Sequence, residues 1–289
     1  MSINRRNFLR SGAFAALGLT IPFRGKSSLL ENFVAAKKLP AFGIQLWTIK
    51  EDMAADAKGT LKKLSTFGYK QIESFEGKQG MFWGMGHKDF KKYMDDLGMH
   101  LISSHCDYKT DFDRKAAEAA EIGMKYLICP WVGPQKSIDD FKRFADAFNQ
   151  SGEICKKNGI RFAYHNHDYS FKPVNEQIPQ DVMMMNTDKN LVDFEMDIYW
   201  VTAAGQDPQA WFKKHPNRFR LCHVKDLGKT AKGHESVQLG KGTIDFAAVL
   251  KTGTENGLKY YIVEQEAFTG SNPLQSAEID ATYMKALTP

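Results

Sequence analysis

The sequence is short of net charge, of cysteine and of long apolar runs, and each shortage removes a class of protein. Its four cysteines, Cys106, Cys129, Cys155 and Cys222, show neither a CxxC pair nor a zinc-finger spacing. That excludes a disulfide framework and a thiolate metal site, and leaves buried thiols acting as small hydrophobes. The formal charge is +5, but Arg5, Arg6, Arg10, Arg24 and Lys26 stand against Glu31 alone in residues 1–36. Beyond them 34 basic residues face 33 acidic ones, a balance of +1 that argues against nucleic acid as a partner. The apolar run from Gly12 to Phe23 is too short and too glycine-containing for a stable membrane anchor. No Gly-x-Gly-x-x-Gly follows the first strand-like segment, which excludes the dinucleotide fingerprint of an open doubly wound sheet.

What is present points to a folded, exported protein. Twenty Phe, ten Tyr and five Trp supply ample core material. Arg5-Arg6-Asn7-Phe8-Leu9-Arg10 directly precedes the apolar run and resembles a twin-arginine signal, an address read by the export machinery. Val34-Ala35-Ala36 suits cleavage. The expected division is a signal over 1–36 and one domain over 37–289, located in the periplasm.

A repeated unit fixes the expected fold. Gly68, Gly98, Gly123, Gly159 and Gly257 each separate a helical pattern from a short apolar run. Glycine just past a helix end is a left-handed cap, and the apolar run after it reads as a buried parallel strand. Eight strands follow: Phe42–Trp47, Tyr69–Ser74, His100–His105, Lys125–Cys129, Arg161–His165, Leu191–Asp197, Phe219–His223 and Tyr260–Glu264. Apolar stripes such as Ala57, Leu61, Leu64 and Phe67 mark the intervening helices. Eight alternating units predict a single (β/α)8 TIM barrel, whose chemistry sits at the C-terminal strand ends. Long loops over 75–87, 168–178 and 227–241 would stand on that rim.

Strands five to eight deliver ionisable pairs there: His165 and His167, Glu195 and Asp197, His223 and Lys225, Glu264 and Glu266. Residues two apart share a strand face. One ligand from each strand, His165, Asp197, His223 and Glu264, would hold one divalent ion. Manganese is the leading candidate, with zinc, cobalt, iron and magnesium as alternatives. The second members become acid–base groups, supporting partners or substrate contacts. Lys225, Glu264 and His167 are the candidate catalytic groups. Glu195, Glu266, Glu73, His105 and Trp200 are candidate substrate contacts, and Trp47, Trp83 and Trp131 offer further apolar faces for a sugar. Gly240-Lys241-Gly242 reads as a tight turn before a helix rather than a phosphate loop.

His-Asn-His at 165–167, Glu-Met-Asp-Ile-Tyr-Trp-Val at 195–201, His-Val-Lys-Asp at 223–226, Leu-Gly-Lys-Gly-Thr-Ile-Asp-Phe at 239–246 and Val-Glu-Gln-Glu at 263–266 together resemble the sugar phosphate isomerase/epimerase superfamily. This xylose isomerase-like barrel group also contains inosose dehydratase and endonuclease IV. The resemblance implies Asp197, His223 and Glu264 as metal ligands. It departs at His165, where ketose epimerases carry a Glu that works with the strand-eight Glu as a two-base pair. The imidazole resembles inosose dehydratase more closely, which eliminates water from a keto-cyclitol. The expected activity is α-proton abstraction from a carbohydrate, isomerase/epimerase-like, with β-elimination on a keto-sugar or 3-keto-glycoside as the alternative. A sugar-binding barrel without turnover would lack ligands that are present here. An endonuclease-type phosphodiesterase would need a basic face that the charge balance denies. The sequence leaves self-association into a homo-oligomer open. Export makes one firm prediction: Arg5→Lys with Arg6→Lys leaves precursor in the cytoplasm, while native protein recovered from the periplasm begins near Lys37 by intact mass. An unprocessed Met1 species in that fraction would count against cleavage.

Overall fold

A computed structural model describes residues 38–230 and 233–289. The expected signal over 1–36 lies outside them. The ordered chain runs β1 (Gly43–Gln45), α1 (Lys50–Ala55), α2 (Ala57–Phe67), β2 (Gln71–Phe75), α3 (His87–Asp96), β3 (His100–His105), α4 (Phe112–Glu121), β4 (Tyr126–Cys129), α5 (Ile138–Lys157) and β5 (Arg161–His165). It continues through α6 (Pro179–Asn186), β6 (Val192–Asp197), α7 (Ile198–Ala203), α8 (Pro208–Lys214), β7 (Phe219–Val224), β8 (Asp226–Thr230), β9 (Gly233–Val237), α9 (Phe246–Glu255), β10 (Tyr260–Val263) and α10 (Pro273–Ala286). Strands β1 to β7 and β10 close into a parallel barrel in the order β1-β10-β7-β6-β5-β4-β3-β2. This is the expected (β/α)8 barrel. Among the described residues no helix is long and apolar enough to cross a membrane.

Local chemistry explains the alternation. Gly68 has φ +104° and its N–H caps α2 by bonding Leu64 and Ser65, a conformation that costs other residues steric strain. The other four punctuating glycines also have positive φ. Helix α5 starts with a capping box between Ser137 and Asp140, and buries Phe141, Ala145, Phe148 and Cys155 against the sheet. All four cysteines are free and buried.

Two expectations needed adjustment. The first strand stops at Gln45, because Leu46–Ile49 turns into a 3-10 helix that carries Trp47 out to the rim. The loop expected over 227–241 is largely an antiparallel hairpin, β8 with β9, outside the barrel. The barrel interior is also layered. Tyr126, Ile128, Ala163 and Leu221 form a small apolar cluster of their own, separate from the large core between sheet and helices. Nearer the C-terminal ends the interior is polar.

One buried acid links α10 to the rim. Asp280 accepts a hydrogen bond from Leu239 N at 2.8 Å, while its Oδ2 lacks a partner. Burial pushes its carboxyl up to about 7, with Asp226 adding to the rise. The unfolded chain would ionise it near 3.9. The native state therefore holds this proton more tightly, and its stabilising effect fades as pH climbs from the unfolded value towards about 7. Asp280→Asn should raise the melting temperature at pH 8 and lose most of that gain by pH 4.5 in thermal denaturation. An equal gain at both pH values would contradict this.

Candidate metal centre and active site

Four strand ends meet at one point. His165 Nε2 lies 3.1 Å from His223 Nδ1 and 3.5 Å from Asp197 Oδ2. His223 Nδ1 lies 3.1 Å from Glu264 Oε2 and 3.8 Å from Asp197 Oδ2. All four ligand atoms fall within 4.8 Å of one another, and all four residues are buried. Bonds of roughly 2.1 Å in a tetrahedron put ligand atoms about 3.4 Å apart, so the spacing suits a small divalent ion.

Two of the ligands, His223 and Asp197, are aimed by neighbours. His223 Nε2 is 2.7 Å from Glu73 Oε1 and 3.3 Å from Glu195 Oε2. An imidazole that gives Nε2–H to a carboxylate turns the Nδ1 lone pair towards the cluster, the arrangement that orients metal-binding histidines. Glu73 is itself fixed, accepting from Gln45 Nε2 at 2.8 Å and Ser103 Oγ at 2.5 Å. Asp197 divides its oxygens. Oδ1 caps α7 by accepting from Trp200 N at 3.0 Å, whereas Oδ2 is buried in the cluster without a hydrogen-bond partner. A cation there would satisfy it, so the residues present fit a metal. Asn166 clamps the same residue, its Oδ1 accepting from Asp197 N and its Nδ2 donating to Asp197 O.

A second group lies beside this one. Glu73, His105, Glu195 and His223 also have ligand atoms within 4.8 Å, but imidazole protons already serve these carboxylates. His105 Nε2 is 2.9 Å from Glu195 Oε2 and 3.2 Å from Glu73 Oε1. Burial opposes charge on His105, yet Glu73 and Glu195 win and raise it to about 9. The same burial, with the nearby Glu73 charge, lifts Glu195 to about 7. By contrast, burial and the neighbouring His223 lower His165 to about 4, leaving a neutral imidazole with a lone pair to offer. Burial alone would hold His223 neutral too, but Glu195 and Glu264 push it well above its usual value. The field that attracts this proton also attracts a divalent ion, and the two compete for Nδ1.

Lys225 stands next to the cluster and is fully buried. Its Nζ is 3.2 Å from Glu264 Oε2 and 3.6 Å from Asp197 Oδ2, and makes a close ion pair with Glu266. The rings of Tyr199 and Trp200 each lie 5.1 Å from it. Burial disfavours the ammonium, but Glu264, Asp197 and Glu266 raise its pKa, so it is charged. Glu264 stays ionised against burial because Lys225 and His223 adjoin it.

Above the cluster opens a cavity of 520 Å³, lined in part by His105, His165, His167, Glu264, Glu266, Trp47 and Trp131. Trp47 and Trp131 are 40% and 53% exposed, leaving apolar faces free for a ligand. Trp131 packs edge-on against His167 and Tyr169, and Tyr169 Oη accepts from Val132 N and Gly133 N. The expected substrate contacts therefore separate. Glu266 and His105 reach the cavity. Glu73 and Glu195 are completely buried against imidazoles, Trp83 is buried, and Trp200 faces Lys225. Sequence reasoning missed Gln45, Ser103 and Asn166. Only Asn166 carried a signal, its place inside His-Asn-His.

The xylose isomerase-like TIM barrel family matches residues 61–287, and the chain belongs to it. A Parabacteroides distasonis protein described as a sugar phosphate isomerase/epimerase is 30% identical. It superposes with a TM-score of 0.74 over 88% of this chain and 96% of its own. The inosose dehydratase of Clostridium perfringens is 30% identical over 168 residues, 52% of this chain and 56% of that protein. That of Bacillus licheniformis is 26% identical over 210 residues, 63% and 67% respectively. The chain thus spans little more than half the length of the Clostridium perfringens relative.

The geometry sets a clear expectation for metal content. His223→Ala should abolish binding of added manganese in the full chain, measured by calorimetry and elemental analysis. Glu73→Gln should weaken it about 10–100-fold by leaving His223 misaligned. Equal affinity in all three proteins would contradict the assignment.

Proposed function

We propose that this chain is a metal-dependent enzyme that takes the proton beside the carbonyl of a keto-sugar, then expels an oxygen from the next carbon. The reaction is a β-elimination on a keto-sugar or 3-keto-glycoside. The observation that carries the reading is Lys225, a charged, buried ammonium paired with Glu264 and Glu266, which line the cavity. A divalent ion held by His165, Asp197, His223 and Glu264 would polarise the carbonyl when bound. The chain's own residues do the proton work.

Glu266 lines the cavity against Lys225, and burial together with the Glu264 charge raises its carboxyl above the usual range. That makes it a stronger proton acceptor than Glu264, which is held low. Lys225 holds a proton for the departing oxygen. Burial and the adjacent His165 lower His167 to about 2, so it serves as a neutral hydrogen-bond partner for a substrate hydroxyl. Glu73 and Glu195 act through His223 rather than on the substrate. Trp47 and Trp131 meet the apolar C–H faces of the carbohydrate.

Isomerisation or epimerisation is the second reading, favoured by the likeness to the Parabacteroides distasonis protein. It shares the first proton abstraction. Returning a proton to the opposite face calls for a second base there, and the β5 end presents the imidazole of His165 instead of a carboxylate. The inosose dehydratase relatives support elimination.

Turnover in D₂O, followed by NMR, separates the outcomes. Elimination yields an unsaturated ketone with release of water or an aglycone. Deuterium in an otherwise intact sugar would replace this reading with the second one. Lys225→Met should lower kcat by about 10²–10⁴-fold while metal content stays unchanged. Full activity in that variant would remove Lys225 from the mechanism.

A further inference from the structure

Polar ties hold the connections around the barrel mouth, and one of them reaches the residues assigned above to proton transfer. Between the loops after β2 and β3 the tie is Lys115, which is buried and bonds Glu76 Oε2 at 2.7 Å and Asp107 O at 2.8 Å. After β10 the tie is a hydroxyl. The strand ends at Val263, and Glu264 N still bonds the neighbouring strand, at 3.2 Å to Val224 O. The next three N–H groups go to side chains instead. Gln265 N donates to Thr48 Oγ1 at 3.2 Å, while Glu266 N and Ala267 N donate to Ser236 Oγ at 2.8 and 3.0 Å. Backbone donors at a buried rim need partners, and here one buried serine serves two of them.

Ser236 stands on β9, and the hairpin that carries it starts one residue after Lys225. Asp226 opens β8 and is fully buried. Its Oδ2 accepts from Gly240 N at 2.9 Å and Gly242 N at 3.0 Å, and its Oδ1 from Leu227 N at 2.8 Å and Ile244 N at 3.3 Å. These bonds fasten the open end of the hairpin to the turn before α9. A Cβ on Gly242 would stand 2.2 Å from Asp226 Oδ1, so the turn closes on the carboxylate only with glycine there. Leu227 faces Ser236 in the ladder, and cross-strand partners project to one side. Both are buried, which marks the side laid against the barrel. Thr269 Oγ1 adds a second tie to the same segment, donating to Glu235 Oε1 at 2.7 Å. One braced element therefore meets both members of the Lys225–Glu266 ion pair. It is joined through the chain to Lys225 and through Ser236 to the backbone of Glu266.

Resting on the assignment of Glu266 and Lys225 to proton transfer, we propose that the hairpin is a positioning clamp in which Ser236 fixes Glu266 against Lys225. Ser236 is a positioning residue: it touches the backbone that carries the base and leaves the cavity to others. Removing its hydroxyl frees the N–H groups of Glu266 and Ala267 and lets the segment after Glu264 shift. The base then loses its place while the metal ligands, held by the strand ends, keep theirs. Threonine retains the hydroxyl and suits a strand position.

Two measurements on the manganese-loaded full chain test the clamp. Amide hydrogen exchange followed by NMR reads the tie itself. In Ser236→Ala the amides of Glu266 and Ala267 should exchange about tenfold faster or more, with those of β10 unchanged and Ser236→Thr like the native chain. Unchanged protection in Ser236→Ala would overturn the proposal. Turnover of a keto-glycoside reads its consequence. Ser236→Ala should lower kcat by about 10–100-fold at unchanged KM and manganese content, and Ser236→Thr should restore it. Native kcat in Ser236→Ala, or a loss of KM and metal content together with kcat, would overturn the positioning role. Failure of the native chain to turn over any keto-sugar would instead remove the proton-transfer reading, and the exchange measurement would decide the clamp alone. If Ser236→Ala does not fold, Ser236→Cys takes its place with the same expectations, since a thiol is a weak acceptor.

Discussion

The site depends on one buried imidazole serving two neighbours at once. His223 gives one ring nitrogen to Glu73 and Glu195 and turns the other towards His165, Asp197 and Glu264. The constraint behind it is charge. Glu73, Glu195, Asp197 and Glu264 are four carboxylates buried at the barrel mouth, and Lys225 and His105 are the cations held charged beside them. With His165 and His167 neutral, and His223 neutral once its extra proton is displaced from Nδ1, two negative charges would remain uncompensated. An unpaired buried ion costs several kcal/mol, so the ensemble calls for a dication or for protons in its place. The four converging ligand atoms meet the first requirement at the point where the excess charge lies.

The barrel supplies the precision this needs. The ends of β6 and β7 are in register with Asp197 opposite His223, and β5 pairs His165 with Glu195. Ligands on neighbouring parallel strands are therefore held by the sheet ladder itself. Beneath them Tyr126, Ile128, Ala163 and Leu221 close the interior with an apolar plug. Above them the loops provide what the strands cannot: aromatic faces at Trp47 and Trp131, and the self-filled loop around Asp226. Rigid strand ends carry the ligands, and surface connections shape the opening.

Much of this was legible in the sequence, and the reason is periodicity. The helix–glycine–strand unit repeats because each parallel strand needs a helix to cover it, so Gly68 and its counterparts mark the barrel directly. The two-residue spacing of His165 with His167, and of Glu195 with Asp197, placed them at strand ends. It could not say which member faces the cavity. Glu195 looked like a substrate contact but points to His105 and His223, because the strand carries it one layer deeper than Asp197. Glu73 followed the same error. Gln45, Ser103 and Lys115 left no trace, since their roles come from partners 28, 30 and 39 residues away in the chain. The rim loop was correctly read as a turn, but its carboxylate occupant, Asp226, opens the hairpin 14 residues before Gly240 and gave no local cue.

The account is tested most directly by anomalous diffraction at the manganese edge from crystals of the full chain grown with that metal. One peak is expected, bonded to His165 Nε2, Asp197 Oδ2, His223 Nδ1 and Glu264 Oε2, with Glu73 still on His223 Nε2. A peak among Glu73, His105 and Glu195 instead, or no peak at millimolar manganese, would contradict it.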